Sequence, residues 1–344
     1  MKKSVPNILL ALVALATATA GISARAQETI KLKISHPLPA SHYLITHGTK
    51  VFTDAVTERT KGKIQFEEYP ASQLGKDAFA ILKSGLADVT MMITGFNPDK
   101  FPLSPVTELP GMYSTACAAT SKTWELAKPG GLLDKFEYAP HGIHVFFVST
   151  LVPYSLNTVS KKLEKVEDLS GLKIWANGAA QHKMLTKLGA VPIRMIGSEL
   201  YDSISRGTID GVFQGYPSIQ QYKLDNFLRH GIAGPQLGSG TWVLGMNDKA
   251  WKALPQSQRD ILTSAGAEVQ KSLCKYLDDA EGIALKEVMA KGLALTTLSP
   301  AQAKVWNDKV SGVADEWAAE MDAAGKPGKQ LLDAMRRASS TNLQ

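Results

Sequence analysis

The spacing of apolar residues changes repeatedly along the first part of the chain, and these changes predict alternating strands and helices. Residues 31–34 have a strand pattern that ends at His36. Residues 44–60 place apolar side chains at helical spacing, as on one face of an amphipathic helix. A second strand at 63–69, a further helix and an apolar strand at 89–93 follow. This βαβα order is typical of a parallel sheet covered by helices.

The same order of elements returns later in the chain. Strands and helices are predicted in turn at residues 171–174, 179–188, 191–195 and 199–205, before a strand near Val212. The repeated order predicts a second parallel sheet of the same design.

A glycine that ends a helix, followed three residues later by an aspartate, occurs in both rounds. Gly85 and Asp88 lie in the first round, and Gly207 and Asp210 lie in the second, at a constant offset of 122 residues. Each residue alone is common, since glycine often ends a helix and aspartate often starts a turn. Together with the repeated βαβα order, they predict two similar α/β lobes.

The domain organisation follows from these two rounds. Lobe 1 is predicted at 27–150, completed by about 241–270, and lobe 2 at 151–240, completed by C-terminal helices. Trp251 begins a stretch that is helical almost throughout, and residues 271–344 are expected to form a helical tail that packs on both lobes.

The first 26 residues have the pattern of a cleavable export signal. Lys2 and Lys3 precede an apolar run at 8–20, and small residues at 24 and 26 flank Arg25, so cleavage is expected after Ala26. A membrane anchor is the alternative, but the run is shorter than the roughly 20 residues that a spanning helix needs. The chain is therefore expected in the periplasm.

Length and charge agree with two globular domains. Even without its first 26 residues, the 344-residue chain exceeds the roughly 250 to 300 residues that one core usually supports. The formal net charge of +6 falls to +3 when Lys2, Lys3 and Arg25 are removed. This charge is too small to indicate a nucleic-acid partner.

Open parallel sheets bind ligands beyond the carboxyl ends of their strands, so the residues there are candidates for a ligand site between the lobes. Tyr154 and Trp242 lie on the segments expected to connect the lobes, where packing at a hinge is the alternative. The ten candidates are His36, Phe96, Asn97, Tyr154, Trp175, Asn177, Phe213, Gln214, Tyr216 and Trp242. For the aromatic and amide residues, core packing and turn formation are the alternatives.

Other chemistry has little support in the sequence. The seven histidines show no metal-ligand spacing, so neither a metal nor a cofactor is expected. The chain contains no nucleophile elbow, phosphate loop or dinucleotide fingerprint, which favours a binding protein over an enzyme. Two cysteines, Cys117 and Cys274, stand at unrelated positions, and the sequence leaves their pairing open.

Six stretches together resemble the periplasmic solute-binding proteins of tripartite ATP-independent periplasmic (TRAP) transporters, the dicarboxylate-binding protein family. They are ISHPLP at 34–39, YPASQLG at 69–75, LKSGLAD at 82–88, LSGLKI at 169–174, ELYDSISRGTIDG at 199–211 and MNDKAWKALP at 246–255. The resemblance implies a two-lobed periplasmic binding protein fold of the α/β class, with hinge strands and a long C-terminal helical segment. It also implies a monomeric receptor that closes on a small organic solute, expected to be an organic acid, and delivers it to membrane permease subunits.

Three positions depart from the pattern of that family. Trp175 stands where the family carries an arginine that pairs with a ligand carboxylate, Gly197 replaces an aromatic residue, and Gln214 replaces an asparagine. The indole ring of Trp175, which can stack and donate one N–H, thus stands in place of a permanently charged guanidinium group. We expect a ligand with an apolar or aromatic body, and Gly197 is expected to leave more room opposite the ring.

Two alternatives to this function remain at the level of sequence. The same two-lobed fold serves receptors of ABC importers and sensor kinases. The loss of the arginine also leaves open a ligand without a carboxylate, such as an amine or an amino alcohol.

Overall fold

The structure, a computed structural model, describes residues 29–340, so the predicted export signal lies outside the described residues. The strands are β1 (Ile30–Ser35), β2 (Ile64–Tyr69), β3 (Val89–Ile93), β4 (Ile143–Thr150), β5 (Ser155–Thr158), β6 (Lys173–Trp175), β7 (Val191–Ile193), β8 (Gly211–Gln214), β9 (His230–Ala233), β10 (Thr241–Asn247) and β11 (Ala294–Thr297). The helices are α1 (Lys50–Arg59), α2 (Ala78–Ser84), α3 (Ala116–Ala127), α4 (Ala179–Lys187), α5 (Leu200–Ser205), α6 (Tyr216–Gln221), α7 (Asp248–Ala253), α8 (Gln256–Ala290), α9 (Pro300–Val310), α10 (Val313–Ala323) and α11 (Gly328–Arg337).

The strands form two sheets, which are the centres of the two lobes. The first has the order β2-β1-β3-β10-β4 and the second the order β11-β9-β5-β8-β6-β7. In each sheet three parallel strands lie side by side, β2-β1-β3 in lobe 1 and β7-β6-β8 in lobe 2. An antiparallel strand follows each triplet, β10 in lobe 1 and β5 in lobe 2. The prediction of two similar α/β lobes is confirmed.

The repeated glycine and aspartate do the same structural work in both lobes. Gly85 and Gly207 adopt left-handed backbone angles, with φ of +75° and +69°, which end α2 and α5. The Asp88 carboxylate accepts a hydrogen bond of 2.8 Å from the N–H of Lys33, next to β3. Asp210 accepts an equal bond of 2.8 Å from the N–H of Lys173, next to β8. Each aspartate therefore ties the loop before one strand to its parallel neighbour.

Two chain segments cross between the lobes side by side. Residues 151–154 lead from β4 to β5, and residues 234–240 lead from β9 to β10. The N–H of Leu151 donates to the carbonyl of Gly240, and the N–H of Tyr154 donates to that of Gly238, both over 2.9 Å. These two bonds define the hinge.

Helix α8 runs along both lobes and is fastened to each. Its Asp278 carboxylate accepts a 2.6 Å hydrogen bond from Ala116 N–H at the start of α3, in lobe 1. One turn on, Glu281 accepts a 3.0 Å bond from Tyr216 N–H at the start of α6, in lobe 2. A disulfide joins Cys117 to Cys274, with 4.7 Å between the Cα atoms. The structure thus settles the pairing that the sequence left open.

The last three helices, α9 to α11, pack on both lobes. Trp317 on α10 donates to the carbonyl of Pro102 in lobe 1 over 3.4 Å. Glu316, also on α10, forms an ion pair of 2.6 Å with Lys187 on α4 of lobe 2. None of the helices in residues 29–340 has both the length and the apolar character that crossing a membrane requires. The exact bounds given above for the two lobes stay a prediction.

Candidate functional site

A cavity of about 490 Å³ lies between the two lobes, in front of the hinge. Lobe 1 contributes residues that follow β1 and β3, among them Leu38 and Phe96. Lobe 2 contributes residues at the ends of β6 and β8, among them Trp175 and Phe213. The cavity therefore lies beyond the carboxyl ends of the parallel strands, where open α/β sheets bind ligands.

Most of the cavity wall is aromatic or aliphatic. Seven of the ten candidate residues line it: Phe96, Tyr154, Trp175, Asn177, Phe213, Gln214 and Trp242. The ring of Tyr154 meets that of Phe213 edge to face, with centroids 5.3 Å apart. Such rings bury large areas and keep a fixed orientation, which suits a flat apolar ligand.

Trp175 belongs both to the cavity wall and to the core of lobe 2. Its side chain is 4% exposed and packs in a cluster with Leu200 and Val212. The indole N–H donates to the carbonyl of Met195 over 3.1 Å, which fixes the ring. The core-packing alternative and the cavity position therefore both describe Trp175.

The space opposite this ring is filled by Tyr222. A Cβ atom added to Gly197 would lie 2.7 Å from the Tyr222 ring, so a side chain at position 197 would collide with it. The Tyr222 and Trp175 rings are almost perpendicular, at 82°, with centroids 6.2 Å apart. The expectation that Gly197 leaves extra room is wrong, because a tyrosine from the turn after α6 occupies that room.

Two of the candidate residues, Asn177 and Gln214, bring amide side chains to the cavity. The Oδ1 atom of Asn177 is buried and has no hydrogen-bond partner. Gln214 is 8% exposed, and its Oε1 accepts a 3.0 Å bond from the N–H of Gly215. The Asn177 Oδ1 atom is thus available to a ligand, whereas the Gln214 Oε1 atom already accepts a hydrogen bond from the backbone of the next residue.

One buried acid lines the cavity. Glu108 is 2% exposed; its Oε1 accepts a 3.2 Å bond from Thr241 N–H, and its Oε2 has no partner. Burial raises the pKa of Glu108 to about 8, against a smaller opposing effect of the Thr241 bond. Two basic side chains also line the wall, the exposed Lys76 and the buried His42, whose pKa burial lowers to about 4. The interior of the cavity is therefore apolar around a single neutral acid.

Three candidate residues do not line the cavity. His36 is 1% exposed, and its Nδ1 contacts the carbonyl of Leu38 over 2.9 Å. Asn97 lies in the turn after β3, where its carbonyl accepts from the N–H of Phe101. Tyr216 is buried at the start of α6, against α8. The structure gives these three residues packing and turn positions.

The two lobes touch at the edge of the cavity. A Cβ atom built on Gly95, after β3, would lie only 3.1 Å from the Cα of Gly178, at the start of α4. The Tyr43 hydroxyl of lobe 1 and the Ser218 hydroxyl of lobe 2 form a 2.7 Å hydrogen bond. The lobes are therefore closed over the cavity.

Sequence reasoning did not find Glu108 or Tyr222. A signal for Glu108 exists, since it is an acid between Val106 and Leu109 in an apolar stretch. Tyr222 carries no such signal, because the chain reaches the cavity only by the path of α6. Within residues 29–340, no group of three or more His, Cys, Asp or Glu side chains is placed to hold a metal ion.

Comparisons with known proteins agree with this architecture. A TRAP solute-binding protein from Rhodoferax ferrireducens T118, solved with copurified benzoate, is 27% identical; the match covers 90% of this chain and 97% of that one, with a TM-score of 0.81. A TRAP protein from Bordetella bronchiseptica, solved with (R)- and (S)-mandelate, is 25% identical, covering 92% and 100%, also at 0.81. The C4-dicarboxylate-binding periplasmic protein DctP of Rhodobacter capsulatus is 27% identical over 308 residues, 86% of this chain and 89% of that protein.

A family model gives the assignment directly. The model of the bacterial extracellular solute-binding proteins of family 7 matches residues 34–320. The chain belongs to this family, the periplasmic solute-binding proteins of TRAP transporters.

Proposed function

We propose that the protein is a periplasmic receptor for an aromatic carboxylic acid. The observation that carries this proposal is the closed interlobe cavity walled by Phe96, Tyr154, Trp175 and Phe213. Relatives of 27% and 25% identity hold benzoate and mandelate, which supports the same ligand class here. The departure at Trp175 fits a ligand bound mainly through its ring.

A second candidate is an amine with an aromatic body. Glu108 is an acid on the cavity wall, and aromatic walls also favour cations. We rank this candidate below the carboxylic acid because an ammonium paired with ionised Glu108 would bury two charges, and the protein adds only one hydrogen bond to that carboxylate, from Thr241.

A thermal-shift screen separates the two candidates. The panel holds benzoate, mandelate and 3-hydroxybenzoate, with benzylamine as the cationic match of benzoate, benzamide as its neutral match, and succinate as an acid without a ring. A ligand present at 100 times its dissociation constant adds about 2.7 kcal/mol to the stability of the folded form, a shift of a few degrees. We expect the aromatic carboxylates to give this shift. A shift with benzylamine alone would favour the amine.

The remaining parts of the function are also proposals. The receptor is a monomer, has no nucleic-acid partner, and passes its ligand unchanged to the TRAP permease subunits. Family membership supports the permease, and the mild net charge argues against nucleic acid. Recovery of benzoate, unaltered by NMR after prolonged incubation with the protein, tests the absence of catalysis; conversion in proportion to protein would contradict it.

A further inference from the structure

Glu108 occupies a position that joins the cavity to the hinge. Its Oε1 is bound by the N–H of Thr241, the first residue of β10, directly after the crossing segment. Its backbone carbonyl lies so close to Gly238 that a Cβ atom there would overlap it. Gly238 has a φ of +87° and is held by the hinge bond to Tyr154. The backbone of Glu108 is therefore fixed from the hinge side.

The carboxyl group of Glu108 lies where the two lobes meet. A Cβ atom on Gly178 of lobe 2 would overlap Oε2, and one on Gly95 of lobe 1 would lie 3.7 Å from Oε1. Two glycines, one from each lobe, thus lie beside the carboxyl group at this junction. The group has one hydrogen bond for two oxygens, although buried carboxyl oxygens are normally satisfied.

The other titratable groups around Glu108 do not supply a counter-charge. The phenols of Tyr113, Tyr138 and Tyr154 interact electrostatically with Glu108. Burial raises the pKa of each phenol, which keeps all three neutral. Of the cavity-lining residues, His42 is neutral through burial, and Lys76 is exposed at the rim. An unpaired, desolvated acid of this kind holds its proton near neutral pH.

We propose that Glu108 is a ligand-binding residue, whose carboxyl group is neutral and donates a hydrogen bond to the carboxylate of the bound ligand. This inference rests on the proposed function, namely an aromatic carboxylate as ligand. It supplies a polar partner for that carboxylate in a cavity whose wall is mostly apolar.

The chemistry of paired carboxyl groups supports this arrangement. Two carboxylates at hydrogen-bond distance cannot both ionise, so the pair shares one proton. A hydrogen bond from a neutral acid to a carboxylate is charge-assisted and roughly twice as strong as one between neutral groups. The bound pair then carries one negative charge, the charge of the ligand itself.

Binding should consequently depend on pH. Burial in the closed protein raises the pKa of Glu108 to about 8, and we expect opening of the lobes, which would admit water, to lower it. Closure on the ligand therefore takes up a proton. Affinity is complete below the pKa of the open form and falls by at most about tenfold per pH unit up to the pKa of the closed complex.

The test is calorimetric titration of the purified protein with benzoate and with (R)-mandelate from pH 6 to pH 9. Each titration is repeated in buffers of different ionisation enthalpy, which gives the number of protons taken up. We expect the wild type to take up a proton and to lose affinity as the pH rises. Glu108→Gln, whose amide still donates, should keep affinity within a few-fold at pH 6 and lose the pH dependence.

Two further variants complete the design. Glu108→Met keeps the length of the side chain and removes the donor. Neither this variant nor Glu108→Gln takes up a proton at position 108, so at pH 6 the affinity of Glu108→Met should be about 10- to 100-fold below that of Glu108→Gln, as for a lost hydrogen bond to a charged group. Glu281→Gln is the matched control. Glu281 is a half-buried acid on α8 with a pKa also raised to about 8 and a bond from Tyr216 N–H, and it does not line the cavity. This control should keep the pH dependence of the wild type.

The outcomes separate this inference from the proposed function. If the wild type binds the aromatic acids without proton uptake, or if Glu108→Met binds them as well as Glu108→Gln, the inference is wrong and the proposed function stands. Loss of binding in Glu108→Gln at pH 6 would assign Glu108 the role of an ionised acceptor and also overturn the inference. If the wild type binds neither acid at any pH, the proposed function fails and the inference fails with it. If Glu108→Met does not fold, the proton uptake of the wild type and the pH dependence of Glu108→Gln still test the inference.

Discussion

Replacement of Trp175 by leucine tests whether the cavity wall in lobe 2 binds the ligand. The substitution removes an aromatic face and the N–H that donates to the Met195 carbonyl. Because Trp175 is 4% exposed within a core cluster, we expect the free energy of unfolding to fall by about 2 to 4 kcal/mol. The midpoint of thermal unfolding should fall accordingly, by several degrees.

The effect on binding can be estimated separately. An aromatic contact contributes about 0.5 to 1.5 kcal/mol beyond its buried area. Loss of about 50 Å² of apolar contact with the ligand adds about 1.3 kcal/mol. Together these losses correspond to an affinity for benzoate that is roughly 20- to 100-fold weaker.

The assay compares Trp175→Leu with Trp306→Leu. Trp306 is 1% exposed in α9, away from the cavity, so its replacement should cost similar stability. Calorimetry with benzoate, at a temperature where circular dichroism shows both variants folded, should find weak binding only for the Trp175 variant. Equal affinities for the two variants would show that Trp175 only packs in the core, and the assignment of the cavity wall would be refuted.

Two further substitutions test the closure of the lobes and the fastening of α8. Gly178→Ala places a methyl group against the Glu108 carboxyl at the lobe junction, so it should weaken benzoate binding at least tenfold. In X-ray scattering, the radius of gyration of this variant should stay at its ligand-free value when benzoate is added. Wild-type affinity would contradict a closed site. Replacing Cys117 and Cys274 together by serine removes a disulfide between residues 157 apart in sequence, and the loop-entropy relation gives a decrease of roughly 5 kcal/mol in the free energy of unfolding. An unchanged unfolding midpoint would show that the disulfide is not a main source of stability.

Much of the fold could be predicted because local signals agreed with one another. The pairs Gly85–Asp88 and Gly207–Asp210 stand at equivalent places, and each aspartate closes the same type of loop. These glycine and aspartate positions depend on backbone angles and hydrogen bonds within a few residues of a strand. A local sequence pattern can therefore predict them. The disulfide between Cys117 and Cys274 joins separate helices, and no local pattern determines it.

The site could be predicted only in part, for a physical reason. Residues at or just beyond the carboxyl ends of strands, such as Phe213 in β8 and Phe96 after β3, reach the cavity because the sheets place them there. His36 follows β1 in the same way, but its backbone contact with Leu38 turns it into the core. Tyr222 enters from a turn and Glu108 from the end of a short 3-10 helix, and the direction of both depends on packing between elements distant in sequence.

The most direct test of the account is a crystal structure of the protein with the aromatic carboxylate that gives the largest thermal shift. The account predicts the ligand between the lobes, its ring against Trp175 and Phe213, and one carboxylate oxygen within about 2.5 to 2.7 Å of Glu108, the range for a charge-assisted O–H···O⁻ bond. A ligand bound outside this cavity, or with its carboxylate turned away from Glu108 towards solvent, would contradict it.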